Sequence, residues 1–162
     1  MDFIEVVKKR RSIRRYKSDP VPEDLLSQIL EAARLAPSAG NRQPWHFIIV
    51  RDEDKKKKLG IPSWAYEAPI VIVGCADTET RGEPTCLVDV AIAFEHIVLA
   101  AANFGLGTCW IGRLSRDEAI KETLEIPGHI RVIAVTPLGY PDETPSPKPR
   151  KALSEIIHYD KF

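Results

Sequence analysis

Hydrophobic residues fall in short, distinct rhythms along this chain. Phe3 to about Lys9 reads as a short helix with Phe3, Val6 and Val7 on one face. A second helix opens at Pro22, with Glu23 and Asp24 in its first turn, where acids suit the positive end of the helix dipole. Its stripe is Leu25, Leu26, Ile29, Leu30 and Ala33. Pro37 ends it at Ala36, because the residue before a proline avoids helical geometry. His46 to Val50 is a strand, and Asp52 to Lys58 is a charged, solvated helix. Trp64 to Glu67 is a short connector. Ala68 to Ala76 is apolar and β-branched throughout, which suits a strand buried on both faces.

Leu87 to Phe104 is apolar on nearly every side, so it predicts a buried helix that needs cover on both flanks. In a chain this small, a second subunit is a natural source of that cover. Thr108 to Gly112 is a short strand or strand end. Ser115-Arg116-Asp117-Glu118 has the capping-box form and starts a helix at about Arg116, which ends before Pro127. His129 to Leu138 is the last strand. From Pro141 the chain carries Pro145, Pro147 and Pro149, an extended stretch, and Leu153, Ile156 and Ile157 predict a tail that docks on something. The order defines an α+β fold of four or five strands flanked by helices. It reads as a single domain, 1–162, with an extended tail from about 141.

Composition narrows the function classes. The chain has 162 residues, 44% hydrophobic and 28% charged, which is globular rather than disordered. Lys plus Arg and Asp plus Glu are 23 each, so a general basic excess, the usual mark of a nucleic-acid binder, is missing. Cys75, Cys86 and Cys109 are widely spaced and suggest neither a disulfide framework nor a zinc site. The four histidines show no ligand spacing, so no metal is expected. The apolar run from Val90 to Ala102 is interrupted by Glu95 and His96, a poor membrane span, and Met1-Asp2-Phe3 lacks signal-peptide order. A reducing cytoplasm is the expected location.

Against that balanced background, Arg10-Arg11-Ser12-Ile13-Arg14 is a local concentration of charge. Guanidinium forks bind phosphate bidentately, and a serine hydroxyl adds one more bond. A solvated patch at a helix end is the plain alternative. Lys148 and Arg150 lie at the other end of the chain and make a phosphate clamp only if they converge on the first group. The loop Pro37-Ser38-Ala39-Gly40-Asn41-Arg42-Gln43-Pro44-Trp45 is rich in small and amide residues. Asn41 and Gln43 suit a flat heterocycle with alternating N–H and C=O edges, or a polyol chain, though an ordinary helix-to-strand turn uses the same residues. Gly105-Leu106-Gly107 is not a dinucleotide fingerprint, and no Gly-x-x-x-x-Gly-Lys occurs. Cys109 beside Trp110 has no visible activating partner.

Four of these segments, in this order, resemble the FMN-dependent nitroreductase family. They are Arg10 to Arg14, Ala36 to Trp45, Gly105 to Thr108 with Trp110-Ile111-Gly112, and Lys148-Pro149-Arg150. The resemblance implies a nitroreductase-like fold, a central, mostly antiparallel sheet in an intertwined homodimer with FMN at the interface. It implies that Arg10, Ser12 and Arg14, with Arg11 adjacent, hold the phosphate and ribityl chain, and that Lys148 and Arg150 close on the phosphate. Asn41 and Gln43 would approach the ribityl and pyrimidine edge. Pro37, Ser38 and Ala39 would come from the other subunit to line the ring, and backbone near Ile111 and Gly112 would reach the flavin N5 region. The implied activity passes hydride from NADH or NADPH to nitroaromatic, quinone or similar small-molecule acceptors by a ping-pong mechanism, with the flavin and no side chain carrying the chemistry. A flavin-storage or sensing protein is the alternative from another class. Deiodination, flavin cleavage and peptide oxidation are the family's specialised options. Larger relatives insert a lid near Thr78 to Pro84, which is short here.

Overall fold

A computed structural model describes residues 2–113 and 117–162. The helices are α1 (Phe3–Lys9), α2 (Glu23–Arg34), α3 (Glu53–Lys58), α4 (Ser63–Tyr66), α5 (Thr85–Asn103) and α6 (Glu118–Leu124). The strands are β1 (Trp45–Val50), β2 (Ile70–Asp77), β3 (Gly107–Thr108), β4 (Ile111–Gly112) and β5 (Ile130–Gly139). Short 3-10 turns lie at Ala39–Asn41 and Leu153–Glu155. The sheet runs β1-β2-β5-β3, with β4 also on β5, and every pairing between these strands is antiparallel.

Strand alternation explains why β2 is apolar at every position. Ile70 and Ile72 face a cluster formed with Leu26, Ile29, Phe94 and Ile97 of α2 and α5. Val71, Val73 and Cys75 face the opposite cluster, with Leu59, Ala65 and Ile120 from around α3, α4 and α6. Successive side chains point to opposite faces, so helices on both sides require apolar residues throughout. Where the Phe94 ring crosses the strand there is no room for a side chain: a Cβ on Gly74 would sit 2.6 Å from a ring carbon.

By length and composition α5 could cross a membrane. Its inner face, Val90, Ala93, Phe94, Ile97 and Ala101, is buried within the fold, while Val88 and Ile92 are exposed. The predicted all-round burial is thus half met within one chain.

Several local expectations shift. α2 ends at Arg34, two residues before Ala36, with Leu35 closing it by donating its N–H to Glu31 O. The connector at Trp64 is one turn of helix. α3 is not wholly solvated: Lys56 is buried, and its Nζ donates to Ala68 O at 2.6 Å. Burial lowers the Lys56 pKa. In α1 only Val6 is buried, and Phe3 and Val7 are exposed. The predicted start of α6 at Ser115 and Arg116 lies outside the described residues; helix is observed from Glu118.

Candidate functional site

The arginine segment is fixed largely by its backbone. Ile13 N–H donates to Thr108 O at 2.9 Å, and Ser12 forms a parallel bridge with Thr108. The fit against β3 is tight, since a Cβ on Gly107 would lie 2.8 Å from Ile13. Lys17 N–H donates to Tyr140 O, and Asp142 N–H donates to Arg15 O. The Glu143 carboxylate accepts the N–H groups of both Arg14 and Arg15. Tyr16 donates its hydroxyl to Ile13 O, and burial holds its pKa above the ordinary tyrosine value. Residues 12–17 are therefore held between β3 and the 139–143 stretch, and the chain beyond Glu143 continues alongside them.

That path brings the two ends of the sequence together. Arg10, Arg11, Ser12, Arg14, Lys148 and Arg150 line one open cavity of about 480 Å³. The side chains differ in what they do there. Arg11 turns back to its own helix, with Nη1 donating to Lys8 O at 2.7 Å and to Arg10 O at 2.8 Å, so it closes the C-terminal end of α1. Arg14 lies 5.5 Å from the ring centre of Trp64, within cation–π range. The charge of Arg10 reaches Glu95 of α5, where it opposes the upward shift that burial imposes on that carboxyl.

Beyond Trp64 the surface leads to β4. Trp64 and Ile111 both pack on the core cluster of the α3, α4 and α6 face. The segment predicted as one strand is two pieces, because Cys109 N–H leaves the ladder and donates to the buried Thr136 Oγ1 at 3.0 Å. Trp110 stands half-exposed with its ring edge-on to Phe94 at 4.8 Å. Ile111 and Gly112 then rejoin β5 opposite Val135 and Ala134. Cys109 is buried, as are Cys75 and Cys86, and burial pushes the Cys75 thiol up to about 12. Neither chemistry nor surroundings suit these thiols for nucleophilic catalysis. No group of His, Cys, Asp and Glu able to hold a metal occurs among the described residues.

The amide loop is built separately. Ser38 anchors it, with its carbonyl accepting Asn41 N–H and its Oγ accepting Gln43 N–H, both at 3.0 Å. Gly40, Asn41 and Gln43 all have left-handed φ angles between 51° and 59°. Beneath the loop, the buried Asp89 of α5 accepts Ala39 N–H through Oδ1 at 3.0 Å. Pro37, Ser38, Ala39, Asn41 and Gln43 thus form one unit: whichever copy supplies Ser38 to a site also supplies Asn41 and Gln43.

Within one chain this unit and the arginines lie at opposite ends of the fold. Asp89, under the loop, precedes the end of α5 at Asn103 by about 21 Å at a rise of 1.5 Å per residue. The sheet agrees: Ile130 pairs at the loop end and Leu138 at the arginine end, about 26 Å apart at 3.3 Å per residue. Sequence reading singled out the residues of both groups and gave no role to their supports, Glu143, Trp64, Thr136 and Asp89. Asp89 left a trace, as one of two acids, with Glu95, in the otherwise largely apolar α5.

The α+β fold carries a cationic cavity at one end of its antiparallel sheet and an amide loop at the other, and the cavity's lining suits an anionic ligand. Comparison with known proteins is consistent with that reading. The nitroreductase family model matches residues 7–65 and 56–140, and the chain belongs to this family. A protein of Methanothermobacter thermautotrophicus, provisionally named NADH dehydrogenase/NAD(P)H nitroreductase, is 40% identical over 153 residues, covering 90% of this chain and 80% of its own. The FMN reductase [NAD(P)H] of Bacillus subtilis is 31% identical, covering 99% of this chain and 74% of the relative. An FMN-dependent nitroreductase structure from Clostridium difficile R20291 superposes with a TM-score of 0.86 at 33% identity, covering 98% and 99% of the two chains.

Proposed function

We propose that this protein is an NAD(P)H-dependent FMN oxidoreductase working as a homodimer, with nitroaromatics, quinones or similar electron-poor small molecules as acceptors. The observation that carries the reading is the convergence of Arg10, Ser12 and Arg14 with Lys148 and Arg150 on one cavity. This donor set fits a phosphate: guanidinium and ammonium groups with a hydroxyl, while the Glu143 carboxylate beside the arginines is engaged by backbone N–H groups. Arg10, Ser12, Arg14, Lys148 and Arg150 would hold the phosphate and ribityl end. Backbone at Ile111 and Gly112 would lie along the ring. The unit from Pro37 to Gln43 would come from the second copy, since it lies at the far end of its own chain. Gly40, Asn41 and Gln43 keep that unit tightly wound, so it would present its amides as a fixed edge.

When bound, FMN supplies hydride transfer between a reduced nicotinamide and the acceptor, in ping-pong order through one open face. The chain's own task is to grip the phosphate, orient the ring and leave that face accessible. Three unpaired, buried cysteines suit a reducing cytoplasm.

The purified protein is expected to be yellow, and anaerobic mixing with NADH or NADPH should bleach it promptly. A bound flavin that neither nucleotide reduces would favour storage or sensing instead. A colourless protein unable to take up FMN would overturn both readings.

A further inference from the structure

We propose that Asp89 is the positioning residue of the ring-lining loop, acting in trans on the cofactor held by the arginines of a second copy. This rests on the flavin reading above. Asp89 lies in the most apolar helix of the fold and is only 4% exposed. A buried carboxylate is costly unless its oxygens are bonded. Here Oδ1 accepts Ala39 N–H at 3.0 Å, and Oδ2 is buried with no partner among the described residues. Core packing alone gives no reason for a hydrogen-bond acceptor at this position.

The loop above gives one. Its backbone holds left-handed residues at positions 40, 41 and 43, and two of those are not glycine. Such conformations persist only where surrounding contacts impose them. Ser38 supplies contacts within the loop, but Ala39 N–H to Asp89 is the bond that ties the loop to the helix. The bond leaves Asn41 and Gln43 on the exposed edge of the loop. Because that edge lies at the opposite end of the chain from Arg14, Asp89 acts on the site of the other protomer.

The test separates the two ends of the ligand. Affinities for FMN and for riboflavin, which lacks the phosphate, are measured on the dimer. Removing a charge-assisted bond costs roughly tenfold or more in affinity. Asp89→Ala should weaken FMN and riboflavin by the same factor, with a changed flavin circular dichroism. Arg14→Ala should weaken FMN by a larger factor than riboflavin. Asp89→Asn, which keeps the acceptor oxygen, should recover most of the loss. Ala39→Pro deletes the donor instead, and Ser38, at φ −141° and ψ 155°, is already in the geometry a following proline prefers. It should reproduce Asp89→Ala even if that variant folds poorly.

A heterodimer of one Asp89→Ala chain and one Arg14→Ala chain decides the trans assignment. It should hold one FMN per dimer at wild-type affinity, because one of its two sites escapes both lesions. Asp89→Ala and Ala39→Pro proteins with wild-type riboflavin affinity would overturn the proposal. So would a heterodimer no better than its parents. A wild-type protein that binds no FMN would instead sink the flavin reading, and this inference with it.

Discussion

Arg11 and Arg14 stand three positions apart in one basic run and have different roles. Arg14 has its backbone N–H on Glu143 and its guanidinium by Trp64 at the edge of the cavity. Arg11 spends its guanidinium on the carbonyls that end α1. Arg14→Ala is therefore expected to weaken FMN binding by about 1.5–3 kcal/mol, the worth of a hydrogen bond to a charged group. Arg11→Ala is expected to cost about 0.3–1 kcal/mol of stability through the lost helix-end interaction, with a smaller effect on FMN. Flavin titration and thermal unfolding of both variants distinguish the roles, and equal FMN losses would contradict the assignment. Charge and spacing in the sequence announce a cluster of cations. They do not say where each guanidinium points, because that depends on carbonyls and rings brought in by folding. The same holds for Lys56, one of four consecutive lysines in a helix that reads as solvated, which is the one whose Nζ meets Ala68 O.

At the scale of the element, β2 was legible in kind and β3–β4 was not. An apolar, β-branched run suits a strand covered on both faces, and the stretch Ala68–Ala76 is a strand from Ile70 to Asp77, begun two residues later and ended one later than read. The pair Gly107–Thr108 and Ile111–Gly112 is split because Cys109 N–H finds Thr136 Oγ1, a partner 27 residues away that local pattern cannot show. The end of α2 was misjudged by two residues because the last turn relaxes before the proline rule applies. Within β2, Gly74 is an element-level constraint. It pairs with Phe47 and Ala134 on neighbouring strands while the Phe94 ring of α5 presses on it. Gly74→Ala should separate helix from sheet and cost about 1–3 kcal/mol by overpacking, read as a lower denaturant midpoint. A second change, Phe94→Leu, should restore part of the loss. An unchanged midpoint in Gly74→Ala would show that α5 is not seated on the sheet as described.

At the scale of the whole molecule, the chain leaves too much apolar surface uncovered on one side. Phe3, Ile4 and Val7 of α1, Leu35 after α2, and Val88 and Ile92 of α5 are exposed. A groove between α1, α2 and α5, lined by Phe3, Val6, Leu99 and Asn103, adds about 390 Å³ of open space to that side. Scattered exposed hydrophobics are ordinary, but a run of them across neighbouring helices marks an interface. The sequence signalled this through an all-round apolar helix in a small chain, and resemblance supplied the partner as a second copy. Under the proposed flavin reading, the distance between loop and arginines asks for the same second copy, since one chain leaves the two groups apart. Joining the two arguments yields a sharp expectation. Ile92→Arg places a charge one turn from Val88 on the uncovered stripe of α5, far from the cationic cavity in sequence and function. The variant should keep its helical circular dichroism and run as a monomer of 18.2 kDa rather than at twice that mass. It should also lose FMN although every cavity-lining cation is retained, because the ring-lining loop is no longer delivered. A folded monomer that still binds FMN at wild-type affinity would mean that the site is complete in one chain. A variant that stays dimeric would move the interface off α5.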